Sequence, residues 1–102
     1  MKPYLFTYSP LCPPLLAQAI LNDTNAVVTW VQPFPHAAIV LSSLAARDLA
    51  AVFRGRLGET WFVVTEVNRA TIDGYLPANL WDLMNNPQGA LAALPPPALQ
   101  AG

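Results

Sequence analysis

Charge is scarce in this chain. Lys, Arg, Asp and Glu together supply 11% of its 102 residues, against about 25% in an average globular protein. Five basic residues against six acidic ones leave a net charge of −1. That balance excludes the strongly basic footprint of a general nucleic-acid or anionic-membrane binder. Cysteine and histidine each occur once. One cysteine excludes an internal disulfide framework, and a lone thiol fits a reducing compartment, so a cytoplasmic location is expected. Catalytic signatures are missing as well. The sequence has no G-x-S-x-G elbow and no G-x-x-x-x-G-K-[ST] or G-x-G-x-x-G phosphate loop. The run Gly55-Arg56-Leu57-Gly58 matches neither spacing and reads as the exit of a helix.

Unbroken apolar helices are also lacking. Pro3 to Asn22 and Thr24 to Ala46 carry no charge, and each is about long enough for a bilayer at ~20 residues. The first contains Pro3, Pro10, Pro13 and Pro14, and the second Pro33 and Pro35 near its middle. Proline breaks the hydrogen-bonded helix that a span requires, so no membrane segment is expected. Lys2 and Ala17-Gln18-Ala19 imitate the ends of a signal peptide, but three prolines and three hydroxyl residues interrupt the would-be apolar region Leu5 to Leu16.

Apolar residues are plentiful, at 54%. This argues against a disordered chain and for one domain with its own core. Tyr4-Leu5-Phe6-Thr7-Tyr8 reads as a first strand. A first helix opens at Pro13 or Pro14, with Leu15, Leu16, Ala19 and Ile20 as its apolar stripe, and Asn22-Asp23-Thr24-Asn25 stops it. Ala26 to Val31 is the second strand, Gln32 to His36 a five-residue connection, and Ala37 to Leu41 the third strand. Ser42 or Ser43 then caps a second helix whose inner side carries Ala45, Leu49, Val52, Phe53 and Arg56, and Gly55 or Gly58 ends it. Trp61 to Val67 is the fourth strand. Asn68 to Gly74 is a polar loop, and Pro77 opens a short last helix over Ala78 to Met84.

This order predicts an α+β domain over 1–86 with the ferredoxin-like β-α-β-β-α-β arrangement, an antiparallel sheet in the order 4-1-3-2, and a short C-terminal helix. Two helices cover one sheet face, leaving the other solvated, covered by the C-terminal segment, or paired with a second subunit. Residues 87–102, rich in Pro and Ala with Pro95-Pro96-Pro97 in a row, read as a flexible tail with polyproline character.

Few residues are candidates for chemistry. Structural zinc needs about four ligands, which Cys12 and His36 do not supply, so no metal or other cofactor is expected. His36 reads as a turn residue and Cys12 as a small buried hydrophobe. Glu66 stands out because period two places it on the strand face of Phe62 and Val64. A carboxylate there is an acid/base group or metal ligand, or it lies on an open face, or an arginine answers it; the last two are the simpler readings. Arg47 and Arg54 lie about two helical turns apart and, with Arg56 and Arg69, form a candidate phosphate-binding patch. An ordinary solvated face is the simpler reading of these arginines.

A first strand ending in Tyr8, the β-α-β-β-α-β order and Trp61-Phe62-Val63-Val64-Thr65-Glu66-Val67-Asn68 resemble the SinR-like proteins. These are similar in turn to the small CRISPR-associated endoribonuclease subunits of ferredoxin-like fold. Gly74-Tyr75-Leu76-Pro77 followed by Trp81-Asp82 resembles the end of the same group. The resemblance spans about Tyr4 to Met84. It implies a homodimer and, in family members, an aspartate directly after the strand-one tyrosine where two subunits meet around a metal. Here that position is Ser9, which is no substitute for a carboxylate on a hard metal. Glu66 and Asn68 match the strand-four pattern. Ser9, Glu66 and Asn68 are therefore candidate functional positions without a complete catalytic set. Period two spreads the aromatic residues of strands one and four over both sheet faces, so some point away from the helices. The expected function is that of a non-catalytic module acting by self-association, as a homodimer built largely from the uncovered sheet face or the edge strand, or by binding a protein partner. The alternatives are an endoribonuclease-like protein with a degenerate metal site and a nucleic-acid-binding accessory using Arg47, Arg54 and Arg56.

Overall fold

A computed structural model describes residues 1–68 and 70–86. Seven elements follow in the order β1 (Lys2–Tyr8), α1 (Pro14–Asp23), β2 (Thr29–Phe34), β3 (Ala37–Ser42), α2 (Ala46–Leu57), β4 (Phe62–Glu66) and α3 (Ala78–Asn85). The strands form one sheet in the order β2-β3-β1-β4, and every neighbouring pair is antiparallel. Read from the other edge, this is the expected 4-1-3-2 order. The expected tail over 87–102 lies outside the described residues.

β1 runs through the sheet centre, with Phe6 facing Ala38 on one side and Val64 on the other. Its aromatic residues alternate, so Tyr4, Phe6 and Tyr8 all enter one core and are buried. α1 and α2 supply the rest of that core through Ala17, Ile20, Leu21, Leu49, Phe53 and Leu57. The rings of Phe6 and Phe53 stack 4.6 Å apart, and Phe62 meets both edge-on. Burial of each such side chain contributes about 1.5–3 kcal/mol.

Ile20, Leu49 and Phe53 face the core as expected, but the rest of each buried stripe is shifted. In α1 the buried stripe is Ala17, Ile20 and Leu21, while Leu15 is 78% exposed. Leu16 and Ala19 also face outward. Pro14 to Asn22 contains no charged residue, so periodicity alone does not distinguish one apolar stripe from its neighbour. In α2 the inner line is Leu49, Phe53 and Leu57, with Ala45 and Arg56 exposed and Val52 only half-buried. Gly58 ends α2 as expected. Its φ of 62° suits glycine, and its N–H donates to the Arg54 carbonyl. Neither expected serine caps the helix: the N-cap is Ala45, without a side-chain bond. Ser42 instead ends β3, fully buried. Its hydroxyl donates to the Ala26 carbonyl at 2.6 Å and accepts from the Leu44 N–H at 3.1 Å. Buried in the strand, that hydroxyl needs both partners there.

The β2–β3 hairpin also departs from the expectation. Gln32, Pro33 and Phe34 belong to β2 rather than to a five-residue connection, and only Pro35 and His36 turn the chain. An edge strand accommodates Pro33 because its outward side needs no N–H, and the register shifts between Val31 and Phe34.

The second sheet face is covered within the chain over β2 and β3, while Val63 and Thr65 of β4, on the same face, stay exposed. Leu80, Leu83 and Met84 of α3 pack on Val31, Ile39 and Leu41, with Ile72, Leu76 and Trp81 beside them. β3 is thus buried on both faces, which accounts for its unbroken apolar run Ala38 to Leu41. No helix among the described residues is long and apolar enough to cross a membrane.

Candidate functional site

The end of β1 gathers more side-chain chemistry than any other place named in the sequence. Tyr8, the last residue of the strand, donates its hydroxyl to the Pro35 carbonyl at 3.1 Å. Gln32 of β2 donates to the same hydroxyl at 2.6 Å and to the Pro35 carbonyl at 2.7 Å. Gln18 of α1 donates to Gln32 Oε1 at 3.0 Å. His36 lies edge-on to the Tyr8 ring at 5.6 Å. Its Nδ1 is buried without a hydrogen-bond partner among the described residues. Burial pushes the Tyr8 hydroxyl's pKa up, the Gln32 bond lowers it in part, and nearby Cys12 raises it.

Cys12 behaves as the small buried hydrophobe the sequence suggests. It is 3% exposed, and its thiol lies 3.6 Å from the Pro13 carbonyl. Burial pushes that thiol up, away from the thiolate that nucleophilic or metal chemistry needs. His36 occupies the hairpin turn, as expected. Among the described residues no group of three or more His, Cys, Asp or Glu side chains is placed to hold a metal ion.

Ser9 and Glu66 stand at opposite ends of the β1–β4 pair. The Ser9 N–H donates to the Trp61 carbonyl at 2.9 Å. Glu66 faces Tyr4 near the start of β1, on the order of 15 Å away at the usual strand rise. Within one chain they therefore share no site. Ser9 Oγ accepts from the Leu11 N–H at 3.1 Å, and the Ser9 carbonyl accepts from the Cys12 N–H, so Ser9 shapes the turn after β1. Glu66 pairs with Lys2 at 3.7 Å, both side chains half exposed. Asn68 closes a local turn: its Oδ1 accepts from the Ala70 N–H and its carbonyl from the Thr71 and Ile72 N–H groups.

The arginines divide between two sides of α2. Arg47 and Arg54 share a face, both exposed, and Arg56 lies about 200° around the helix from Arg54. There it reaches Asp23 at the end of α1, 3.6 Å away. Arg69 lies outside the described residues.

Of the aromatic residues expected on strands one and four, the one that points away from the helices is Trp61, and the surface around it is open. Its side chain is 84% exposed, Leu11 is 91% exposed and Val63 58%. Ser9, Leu11, Glu59, Thr60 and Trp61 line an open groove of about 410 Å³. Period two carried the signal, since Phe62 turns toward α2 and its odd-numbered neighbours turn away from it. A second hollow, of about 240 Å³, lies beneath the segment before α3. It is lined mainly by apolar groups, including Leu5, Phe34, Ile39, Tyr75, Trp81 and Met84.

No family model, no curated protein and no solved structure matches the chain.

Proposed function

We propose that the chain is a small non-catalytic module of ferredoxin-like arrangement that acts by self-association, with the surface around Trp61 as its contact. The observation that carries this reading is the concentration of exposed apolar side chains at Leu11, Trp61 and Val63, beside β4, which is an edge strand among the described residues. Large exposed apolar groups on a small domain mark interaction surfaces, and tryptophan is prominent among residues that anchor interfaces. A twofold dimer is the commonest assembly of identical chains. α3 covers the β2–β3 side of the second sheet face, which leaves the β4 side of that face, at the sheet edge, for the contact. The separation of Ser9 from Glu66 and the arrangement of the arginines favour binding over catalysis.

Sedimentation equilibrium at micromolar concentrations tests the reading. A reversible dimer is expected for the natural sequence, weakened at least about tenfold in Trp61→Ser, as loss of an interface anchor worth ~2 kcal/mol implies. A monomer throughout the concentration range overturns self-association.

A further inference from the structure

We infer that two copies of this chain pair antiparallel through their β4 strands, so that two sheets become one continuous sheet. This rests on the self-association reading above and adds its geometry. The argument starts from the hydrogen-bond phase of β4. The Trp61 carbonyl accepts from Ser9, and the Val67 N–H donates to the Pro3 carbonyl. In an antiparallel pair alternate residues turn both backbone groups to the same side. Trp61, Val63, Thr65 and Val67 therefore turn theirs toward β1, while Phe62, Val64 and Glu66 turn theirs to the edge that no other described strand pairs with.

The two edges of the sheet are not equivalent. β2, at the far edge, carries Pro33 and a register shift, both of which discourage pairing. β4 reads Phe-Val-Val-Thr-Glu. It has neither proline nor lysine and no register shift against β1, so its short length and the terminal Glu66 are the protections it keeps.

β4 is also complementary to itself. A twofold axis through Val64 sets that residue opposite the partner's Val64 and Phe62 opposite the partner's Glu66. All three outward residues then exchange backbone hydrogen bonds. On the sheet face away from α2, Val63 meets the partner's Thr65 and Trp61 meets the partner's Val67. This pairing covers the exposed Trp61 and Val63 side chains with β-branched neighbours, the type of cross-strand contact that stabilises sheets. The charges agree with it. Glu66 and the partner's Glu66 fall at opposite ends of the junction, so no like charges stand directly opposite. This self-complementarity selects a second copy over an unrelated strand.

Disulfide trapping tests the register. Val63→Cys and Thr65→Cys are made separately, mixed in equal amounts and oxidised, and the linked peptides are mapped; Cys12 is buried and stays in place. Residues 63 and 65 of opposite chains form a non-hydrogen-bonded pair with close Cβ atoms, within disulfide reach. The mixture should yield a 63–65 link at least about tenfold more efficiently than either variant forms a link with itself, as the strict distance limits on disulfides imply. Val63→Lys, on an exposed side chain, should give a folded monomer by circular dichroism and sedimentation. A dimer that forms no 63–65 link, or that survives Val63→Lys, overturns the β4 geometry while leaving self-association standing. A natural sequence that remains monomeric overturns both.

Discussion

Tyr8 and Gln32 are joined by a 2.6 Å hydrogen bond across the end of the sheet, from the Gln32 amide to the tyrosine hydroxyl. That hydroxyl passes its own proton toward the Pro35 carbonyl. The pair thereby ties the central strand β1 to the hairpin between β2 and β3, whose ladder is interrupted by the register shift at Val31 to Phe34. Where the backbone ladder is interrupted, these side chains supply the connection.

Tyr8→Phe keeps the buried ring and removes the shared oxygen. The Gln32 amide keeps the Pro35 carbonyl as acceptor, but Pro35 loses one of its two side-chain donors. A loss of about 1–2 kcal/mol is expected, the usual cost of a hydrogen bond deleted from a part-buried network. Urea unfolding should show a lower midpoint with an unchanged m-value. An unchanged midpoint would mean that the network contributes nothing net.

A second tyrosine makes stability sensitive to alkaline pH. Tyr4 is fully buried and donates to the Leu44 carbonyl at 2.6 Å. Burial raises its pKa above the usual tyrosine value, and the facing Glu66 carboxylate raises it further. The folded state therefore holds the proton more tightly than the unfolded chain, whose tyrosines ionise near pH ~10. This contribution is complete below that pH and is lost as pH rises through the higher folded value. Urea midpoints should fall above about pH 10, and Tyr4→Phe should make that fall shallower while lowering stability at neutral pH. A midpoint independent of pH up to about 11 would contradict the assignment.

The strand and helix order was legible because the punctuation was strong: Ser9-Pro10, Asn22 to Asn25, Gly58 and Pro77 each bound an element within a few residues of where it was expected. Rotations and caps were not. α1 is apolar on more than one side, so Leu15, Leu16 and Ala19 looked as inward as Ile20, while Ala17 and Leu21 were passed over. Ser42 carried the signature of a cap, yet its place in a buried strand assigned its hydroxyl to Ala26 and Leu44. Pro33 resembled a loop residue because a sequence does not announce which strand lies at an edge. At the candidate site the partner of Glu66 proved to be Lys2, from the other end of the sequence. Ser9 and Glu66 could be separated only once the antiparallel register was fixed.

The cover over the second sheet face can be tested by comparing two leucines of similar sequence context. Leu83 on α3 is 1% exposed and packs with Ile39 and Leu41, whereas Leu15 on α1 is 78% exposed. Removing a buried leucine side chain costs its transfer free energy and leaves a cavity, together about 2–5 kcal/mol. An exposed leucine loses little of either, and alanine has the better helix propensity. Leu83→Ala should therefore lower the unfolding free energy by at least ~2 kcal/mol, and Leu15→Ala should change it by less than ~0.5 kcal/mol. The difference separates this arrangement from one in which α3 is loosely attached and the sheet face is left for a partner. If α3 were loosely attached, Leu83→Ala would be nearly neutral and the natural protein would already bind an apolar dye such as anilinonaphthalene sulfonate. If it is docked, dye binding should be weak in the natural protein and rise in Leu83→Ala, because Ile39 and Leu41 then lose part of their cover.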